Sequence, residues 1–346
     1  MGKKKSQRIN LIICAVAFVV MIVVMLFVDK PENLLNAFLA VNPVYFVAAV
    51  ALILLYWFFE GAGLHAVMKA VHKKQKFKNS MSVSMIGQYF NCITPFASGG
   101  QPIQAYYLVK FGAPLSSALT ALLSKFIAYQ FVLTLYCTVL LIIRGGAINN
   151  TAMIVLVMIG FAVNAAVIVG LLTLAFFQKA AKKVSHFFVK LLGKIHVIKD
   201  VDAKIEYMDK EMELYIENFK FIKSRPWLVI RLFLLSALQL TCYFSITYVI
   251  YLGFGLSGAD FFTVIAYQAF ILLITSFVPI PGALGASEGS YALFFMSIFS
   301  TTYLTLSTFV WRFLTFYLAI IIGMTVTLVV NRSSKKNEAP IENVQE

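Results

Sequence analysis

The chain has 346 residues, of which 60% are hydrophobic and 13% are charged, and its formal net charge is +14. An ordinary globular domain is about 45–50% apolar and about 25% charged, so one soluble core cannot bury this much apolar surface. Composition therefore predicts an integral membrane protein and excludes a soluble enzyme, a nucleic-acid-binding domain and a disordered protein.

The N-terminal part of the chain holds three long apolar runs, at 9–28, 44–68 and 116–143. Each is long enough to span a bilayer, since a transmembrane helix needs about 20 residues. The stretch 79–110 is also apolar, but proline and glycine interrupt it. We therefore predict three transmembrane helices and one broken segment in this part.

A fourth apolar run, 151–177, is followed by a highly charged segment at 178–225. In its first half, six apolar residues recur at helical spacing with lysines between them, namely Val184, Phe187, Phe188, Leu191, Leu192 and Ile195. This pattern predicts an amphipathic helix on the cytoplasmic surface. The acidic continuation from Asp200 to Glu217 is expected to form a solvated face.

The C-terminal part has apolar runs at 226–252 and 303–330 on either side of a broken stretch at 260–299. Six transmembrane helices and two broken apolar segments predict an all-α membrane protein. We treat residues 1–332 as a single polytopic membrane domain. The polar residues 333–346 are expected to form a disordered tail.

Lysine and arginine predict the orientation, because cytoplasmic loops carry an excess of these residues. With both termini in the cytoplasm, 24 of the 29 lysine and arginine residues lie in cytoplasmic segments. We therefore expect a multi-pass protein of the plasma membrane with cytoplasmic termini. In that topology 79–110 enters and leaves on the cytoplasmic side and 260–299 on the outer side, so each is predicted to be a re-entrant helical hairpin.

The units 44–143 and 226–330 both follow the order span, hairpin, span, but they run in opposite directions. Both tips place proline four residues before glycine, and a cation follows in the next span. The matching residues are Pro95, Gly99 and Lys125 in the first unit and Pro281, Gly285 and Arg312 in the second. These matches predict an inverted-topology repeat, a plan of secondary transporters whose site lies near the midplane. The alternative is a chance match of one tip and one charge.

Each tip is predicted to precede a new helix inside the membrane. Glycine permits tight turns, and a helix N-terminus presents unpaired N–H groups and the positive end of a dipole. Such a terminus binds anions, and phosphate is the natural anion of a membrane. The candidate substrate-binding residues are Thr94, Pro95, Ser98, Gly99, Gly100, Lys125, Pro281, Gly282, Gly285, Glu288 and Arg312.

Charged side chains inside a span are costly and are usually functional or paired. Lys125 and Arg312 are therefore candidates to contact the phosphate. Glu60 lies at a similar depth to Lys125, so the alternative for Lys125 is an ion pair with Glu60 that only holds helices together. Glu288 either satisfies the helix dipole or contacts a cationic headgroup. Neutralising either cation should slow transport and preserve folding, unless Glu60 loses its partner.

Two motifs, Thr94–Tyr106 and Pro279–Gly289, resemble the transmembrane region of lysylphosphatidylglycerol synthases, also called the flippase-like domain family. The resemblance covers nearly all of residues 9–330 and implies lipid translocation. In fused members a soluble aminoacyltransferase domain makes lysyl-phosphatidylglycerol from lysyl-tRNA and phosphatidylglycerol, and the membrane domain moves the product across the bilayer. Only a short polar tail follows the last span here, so we expect a stand-alone membrane domain.

The leading functional hypothesis is a flippase-like transporter for a phosphate-bearing lipid that is anionic or aminoacylated. One alternative is a phosphatidylglycerol lysyltransferase-type enzyme or its membrane subunit, and another is a lipid-binding scaffold that does not transport. The expected partner is membrane phospholipid and not nucleic acid, while a homo-oligomer or a separate synthase partner stays open. We predict no catalytic residues, metal ligands or cofactor.

Overall fold

The computed structural model describes residues 31–39, 41–148, 150–177, 201–276 and 278–337, together with residues 19, 182, 183, 186, 187, 189 and 190. Within these ranges every regular element is helical and no strand occurs, which confirms the predicted all-α fold. The predicted first span at 9–28, much of the amphipathic stretch 184–195 and residues 338–346 lie outside the described residues.

The described helices follow one another with short connections. They are α1 (Pro31–Leu39), α2 (Pro43–Val71), α3 (Phe77–Ile93), α4 (Gly100–Lys110), α5 (Leu115–Arg144), α6 (Thr151–Phe176), α7 (Val201–Lys223), α8 (Pro226–Gly253), α9 (Phe261–Thr275), α10 (Ala286–Phe295), α11 (Thr301–Arg312) and α12 (Leu318–Asn337). A π-helical turn, Phe313–Tyr317, joins α11 to α12. Three 3-10 turns lie at Pro95–Ala97, Gly145–Ala147 and Pro281–Ala283.

Within the described residues, five helical stretches are long and apolar enough to cross a membrane: Pro43–Val71, Leu115–Arg144, Thr151–Thr173, Pro226–Gly253 and Thr301–Ser333. They coincide with the five predicted spans that fall in these ranges. Much of their apolar surface is exposed, which suits a lipid environment and not water. The chain is therefore a multi-pass membrane protein.

Each broken apolar segment forms two short helices that pack against each other across a 3-10 turn. The first hairpin is α3 with α4, and the second hairpin is α9 with α10. The longer arms have 17 and 15 residues. They extend about 25 Å and 22 Å at 1.5 Å per residue, which is less than the roughly 30 Å of a hydrocarbon core. These lengths fit segments that enter a membrane and return.

The centre of the helix bundle is formed by α2 and α8, which are the first spans of the two predicted repeat units. They make the most extensive helix–helix contact among the described elements, and α12 packs along α3. Ile53 of α2 and Leu240 and Phe244 of α8 are fully buried in this core. The two hairpins are therefore held next to a packed pair of long helices.

The acidic segment beyond residue 200 does not form only a solvated face. It folds as α7, which packs on α5. The Glu211 carboxylate accepts a 2.6 Å hydrogen bond from the N–H of Ser116, in the first turn of α5. A carboxylate is favourable there because the first N–H groups of a helix have no partner within it. At the other end of the chain, α12 continues through residues 333–337 of the predicted tail.

Candidate functional site

The two hairpin tips, residues 94–100 and 280–286, share one backbone conformation from their first residue to the alanine of the 3-10 turn. They then diverge, since the matched glycines have φ −77° at Gly99 and 79° at Gly285. Thr94 and Ile280 are extended, with φ −121° at both positions. Two residues later Phe96 and Gly282 are left-handed, with φ/ψ of 56°/16° and 60°/16°. The alanine that follows has φ 50° in both tips. The matched prolines of the sequence therefore begin matched turns.

The tips are in contact with each other. The turn of the second tip packs against the turn of the first tip and against α3. Both keep an accessible face, since Phe96 is 53% exposed and Ile280 is 44% exposed, and Pro95, Ser98 and Gly285 are exposed as well. The structure thus brings the two predicted motifs together around an accessible surface.

Thr94 holds the first tip in shape. Its hydroxyl donates a 2.6 Å hydrogen bond to the carbonyl of Phe90 and accepts one of 2.9 Å from the N–H of Gly99. The Ser98 hydroxyl donates to the carbonyl of Pro95 at 2.8 Å and keeps its acceptor lone pairs. Helix α4 therefore begins beside a neutral hydroxyl, without a carboxylate at its N-terminus.

Gly100 lets α4 start directly against α3. A Cβ atom at this position would lie 2.0 Å from the side-chain oxygen of Asn91, which is closer than any real contact. A larger residue would have to displace the Asn91 side chain, so glycine lets the buried start of α4 pack directly against α3. The sequence indicates Gly100 as a site residue because glycine permits tight turns. In the structure, the close packing of α4 on α3 is a further reason for glycine at this position.

The second tip carries two linked charges. The N–H of Gly285 donates a 2.7 Å hydrogen bond to one carboxylate oxygen of Glu288, and Nε of Arg312 donates to the other at 2.5 Å. Arg312 Nη2 also donates to the carbonyl of Gly282 at 2.9 Å. Glu288 therefore binds the start of α10, as one of the two hypotheses for it stated, and pairs with Arg312 at the same time.

Arg312 is buried at the junction of α11 and the π-helical turn. It is 4% exposed, and its guanidinium lies 4.8 Å from the ring centroid of Phe316 and 5.5 Å from that of Trp311. Single π turns occur often at functional sites. This turn directs the Phe316 ring against the backbone of Gly282, where a Cβ would lie 2.0 Å from the ring.

We expect Gly282→Ala to destabilise the protein by about 2–4 kcal/mol, from a left-handed backbone that disfavours a Cβ and an overlap with Phe316. Thermal unfolding of the purified protein measures this change. The matched control is Gly289→Ala, because a Cβ at Gly289 would meet no atom within 4 Å and alanine favours a helix. Equal stability of the two variants would show that the second tip does not need this close approach.

Lys125 and Glu60 form a buried ion pair. They are 7% and 8% exposed. The second Glu60 oxygen accepts a 2.7 Å hydrogen bond from Nε2 of Gln239. The three side chains come from α5, α2 and α8, so they connect the central helices. The structure thus shows Lys125 bound to Glu60, whereas the matching cation Arg312 binds a tip directly.

Sequence reasoning did not select Gln239, which completes this buried cluster. The available signal was an amide inside an otherwise apolar span, since a polar group there needs a partner. Gln130 on α5 is a second buried amide of this kind, and it donates to the Asn164 side chain on α6 at 2.9 Å. Gln239 thus binds Glu60, the predicted partner of Lys125, and Gln130 links the spans α5 and α6.

Comparison with known proteins agrees with the motifs. A sequence model of the family described as "Lysylphosphatidylglycerol synthase TM region" matches residues 12–323, a range that includes both tips and both buried cations. A comparison with curated proteins found no match.

Proposed function

The chain belongs to the lysylphosphatidylglycerol synthase TM-region family, and from this premise we propose that it translocates a phosphate-bearing lipid across the plasma membrane. Family membership gives the chain a role connected with membrane lipid. The proposed cargo is an anionic or aminoacylated phospholipid. We also propose that residues 1–332 form one domain with both termini in the cytoplasm, in which 44–143 and 226–330 are inverted repeats.

The observation that supports transport best is the contact between the two tips. Two hairpins with the same turn conformation meet, and each turn leads into the N-terminus of a helix. Helix N-termini bind phosphate through free N–H groups and the helix dipole. In an inverted repeat, such a pair of half-sites lets a headgroup pass from one side to the other while the repeats rock.

The first tip and the second tip differ in charge, and this difference would help a lipid phosphate to pass from one tip to the other. At the second tip the Glu288 carboxylate already binds the start of α10 and pairs with Arg312. At the first tip a neutral hydroxyl, that of Thr94, is in the corresponding place. We infer that the lipid phosphate binds first at the first tip, and then competes with Glu288 for Arg312. Lys125 holds the central helices through Glu60 while the tips move.

Proteoliposomes that contain a fluorescent phosphatidylglycerol test this proposal, since a membrane-impermeant quencher reports how fast the lipid changes leaflet. We expect the protein to accelerate this exchange over protein-free liposomes. Ser98→Asp should slow it at least about tenfold, because a carboxylate at the exposed first tip repels the phosphate. Ser98→Asn is the matched neutral control and should retain most of the rate.

Failure of the wild-type protein to exceed protein-free liposomes would contradict transport. Equal rates for Ser98→Asp and Ser98→Asn would contradict phosphate binding at the first tip. The alternative function, lysyl transfer to phosphatidylglycerol, is separated by the same assay, because leaflet exchange requires no lysyl-tRNA.

A further inference from the structure

A groove lies at the base of the first hairpin, at the end opposite to its tip. It forms where α3 begins, α4 ends and α12 passes both, and its volume is about 590 Å³. Lys78, Asn79 and Lys110 line one side, and Val326, Val329 and Val330 line the other. The 17 residues of α3 separate it from the tip by about 25 Å, so the groove is distinct from the site between the tips.

The polar side of the groove is positively charged. None of the described residues that line it is acidic. The side-chain oxygen of Asn331 accepts hydrogen bonds from the hydroxyl of Tyr107 at 2.9 Å and from Nζ of Lys110 at 3.3 Å. This amide fixes the Lys110 ammonium, which has three donors and therefore retains two for a ligand.

Lys78 adds a second cation at the N-terminal turn of α3. The positive end of this helix dipole lies at the same end of the hairpin, and the N-cap residue, Lys76, makes no side-chain capping bond. Among the described residues, none forms an ion pair with Lys78. An anion in the groove would therefore meet two ammonium groups close to a helix N-terminus.

The opposite side of the groove is an apolar strip on α12. Val329 is 57% exposed, and Val326 and Val330 continue the strip along one helix face. A small inorganic anion would use only the lysines, and an uncharged apolar molecule would use only the valines. An amphiphile with an anionic head and a hydrocarbon chain matches both sides, and the volume falls within the roughly 300–1,000 Å³ of ligand pockets.

We propose that this groove binds an anionic glycerophospholipid, with its phosphate between Lys78 and Lys110 and the first part of an acyl chain on Val326 and Val329. The inference deepens the proposed function and rests on it, because the bound lipid is the cargo before it reaches the first tip. Helix α3 connects the two places, since it begins at the groove and ends at the tip.

Native mass spectrometry of the protein in a neutral detergent tests the groove, with phosphatidylglycerol and phosphatidylcholine as probes. We expect phosphatidylglycerol to bind more tightly. Lys78→Gln and Lys110→Gln should each weaken its binding about fivefold, the effect of one lysine at an anionic lipid surface. Thr325→Trp, which fills the groove without changing its charge, should also weaken binding.

The matched control is Lys74→Gln, which removes the same charge from the preceding loop but does not line the groove. It should retain binding within about twofold of the wild type. An equal loss in Lys74→Gln and Lys78→Gln would overturn the proposal, because general charge attraction would then explain the binding. Competition by glycerol phosphate at the lipid's own concentration would also overturn it, since the apolar strip would contribute nothing.

Leaflet exchange by the same variants separates this inference from the proposed function. In one outcome, the wild type exchanges lipid and the double variant Lys78→Gln/Lys110→Gln binds phosphatidylglycerol as the wild type does. This outcome would contradict lipid binding in the groove but would still support transport. Selective loss of binding in the double variant, together with no exchange by the wild type, would support the groove as a lipid site and contradict transport.

Discussion

Lys125→Ala is expected to destabilise the folded protein by about 3–5 kcal/mol, because it leaves a buried carboxylate without its cation. Glu60 is 8% exposed, and the hydrogen bond from Gln239 would be the only described polar contact left to it. From sequence, this substitution was expected to preserve folding unless it stranded Glu60, and the structure shows that it does. Thermal unfolding in detergent and the yield of monodisperse protein measure the loss.

The double variant Glu60→Gln/Lys125→Met is the control for this first prediction. It removes both charges and keeps similar volumes, so we expect stability within about 1.5 kcal/mol of the wild type. Wild-type stability of Lys125→Ala alone would contradict the buried pair. If the double variant regains both stability and leaflet exchange, Lys125 has only a structural role. If it regains stability alone, Lys125 acts on the lipid.

Arg312→Ala is expected to destabilise the second tip by about 3–5 kcal/mol and to abolish leaflet exchange, since hydrogen bonds to charged groups contribute about 1.5–3 kcal/mol each. This differs from the expectation from sequence that folding is preserved, because the sequence did not show that the guanidinium holds the tip together. The substitution removes the bonds to Glu288 and to the carbonyl of Gly282, together with the ring contacts of the guanidinium. The Glu288 side chain is 23% exposed, so water offsets part of this loss. Unfolding and leaflet exchange are both measured.

Two further variants separate stability from transport at Arg312. Arg312→Lys keeps the charge but loses the planar fork that reaches two acceptors at once, and we expect a smaller loss of stability with slower exchange. Arg312→Met with Glu288→Gln leaves no stranded charge, so the fold should recover. Exchange should not recover, because the second half-site then has no cation. Wild-type exchange in this double variant would remove Arg312 from the mechanism.

Hydropathy, charge placement and interruptions by proline and glycine were enough to predict the five described spans, the two broken segments and their tips. Each of these signals depends only on the residues within a short stretch of chain. A run of about 20 apolar residues favours lipid wherever its neighbours lie, and proline and glycine a few residues apart favour a turn from local backbone geometry alone. The family motifs are local in the same sense, because each lies within one tip.

The pairing of charged side chains was decided by tertiary packing. Glu60 is 65 residues from Lys125 and 179 from Gln239. From their similar depth the sequence offered a Glu60–Lys125 pair as one of two alternatives, and it did not indicate Gln239. The same holds for Glu211 at the start of α5 and for the groove between Lys78 and α12. Depth in the membrane follows from sequence, but the neighbour that a side chain faces depends on the rotation of each helix about its axis. That rotation is determined by the packing of all helices together, so these contacts exist only in the assembled bundle.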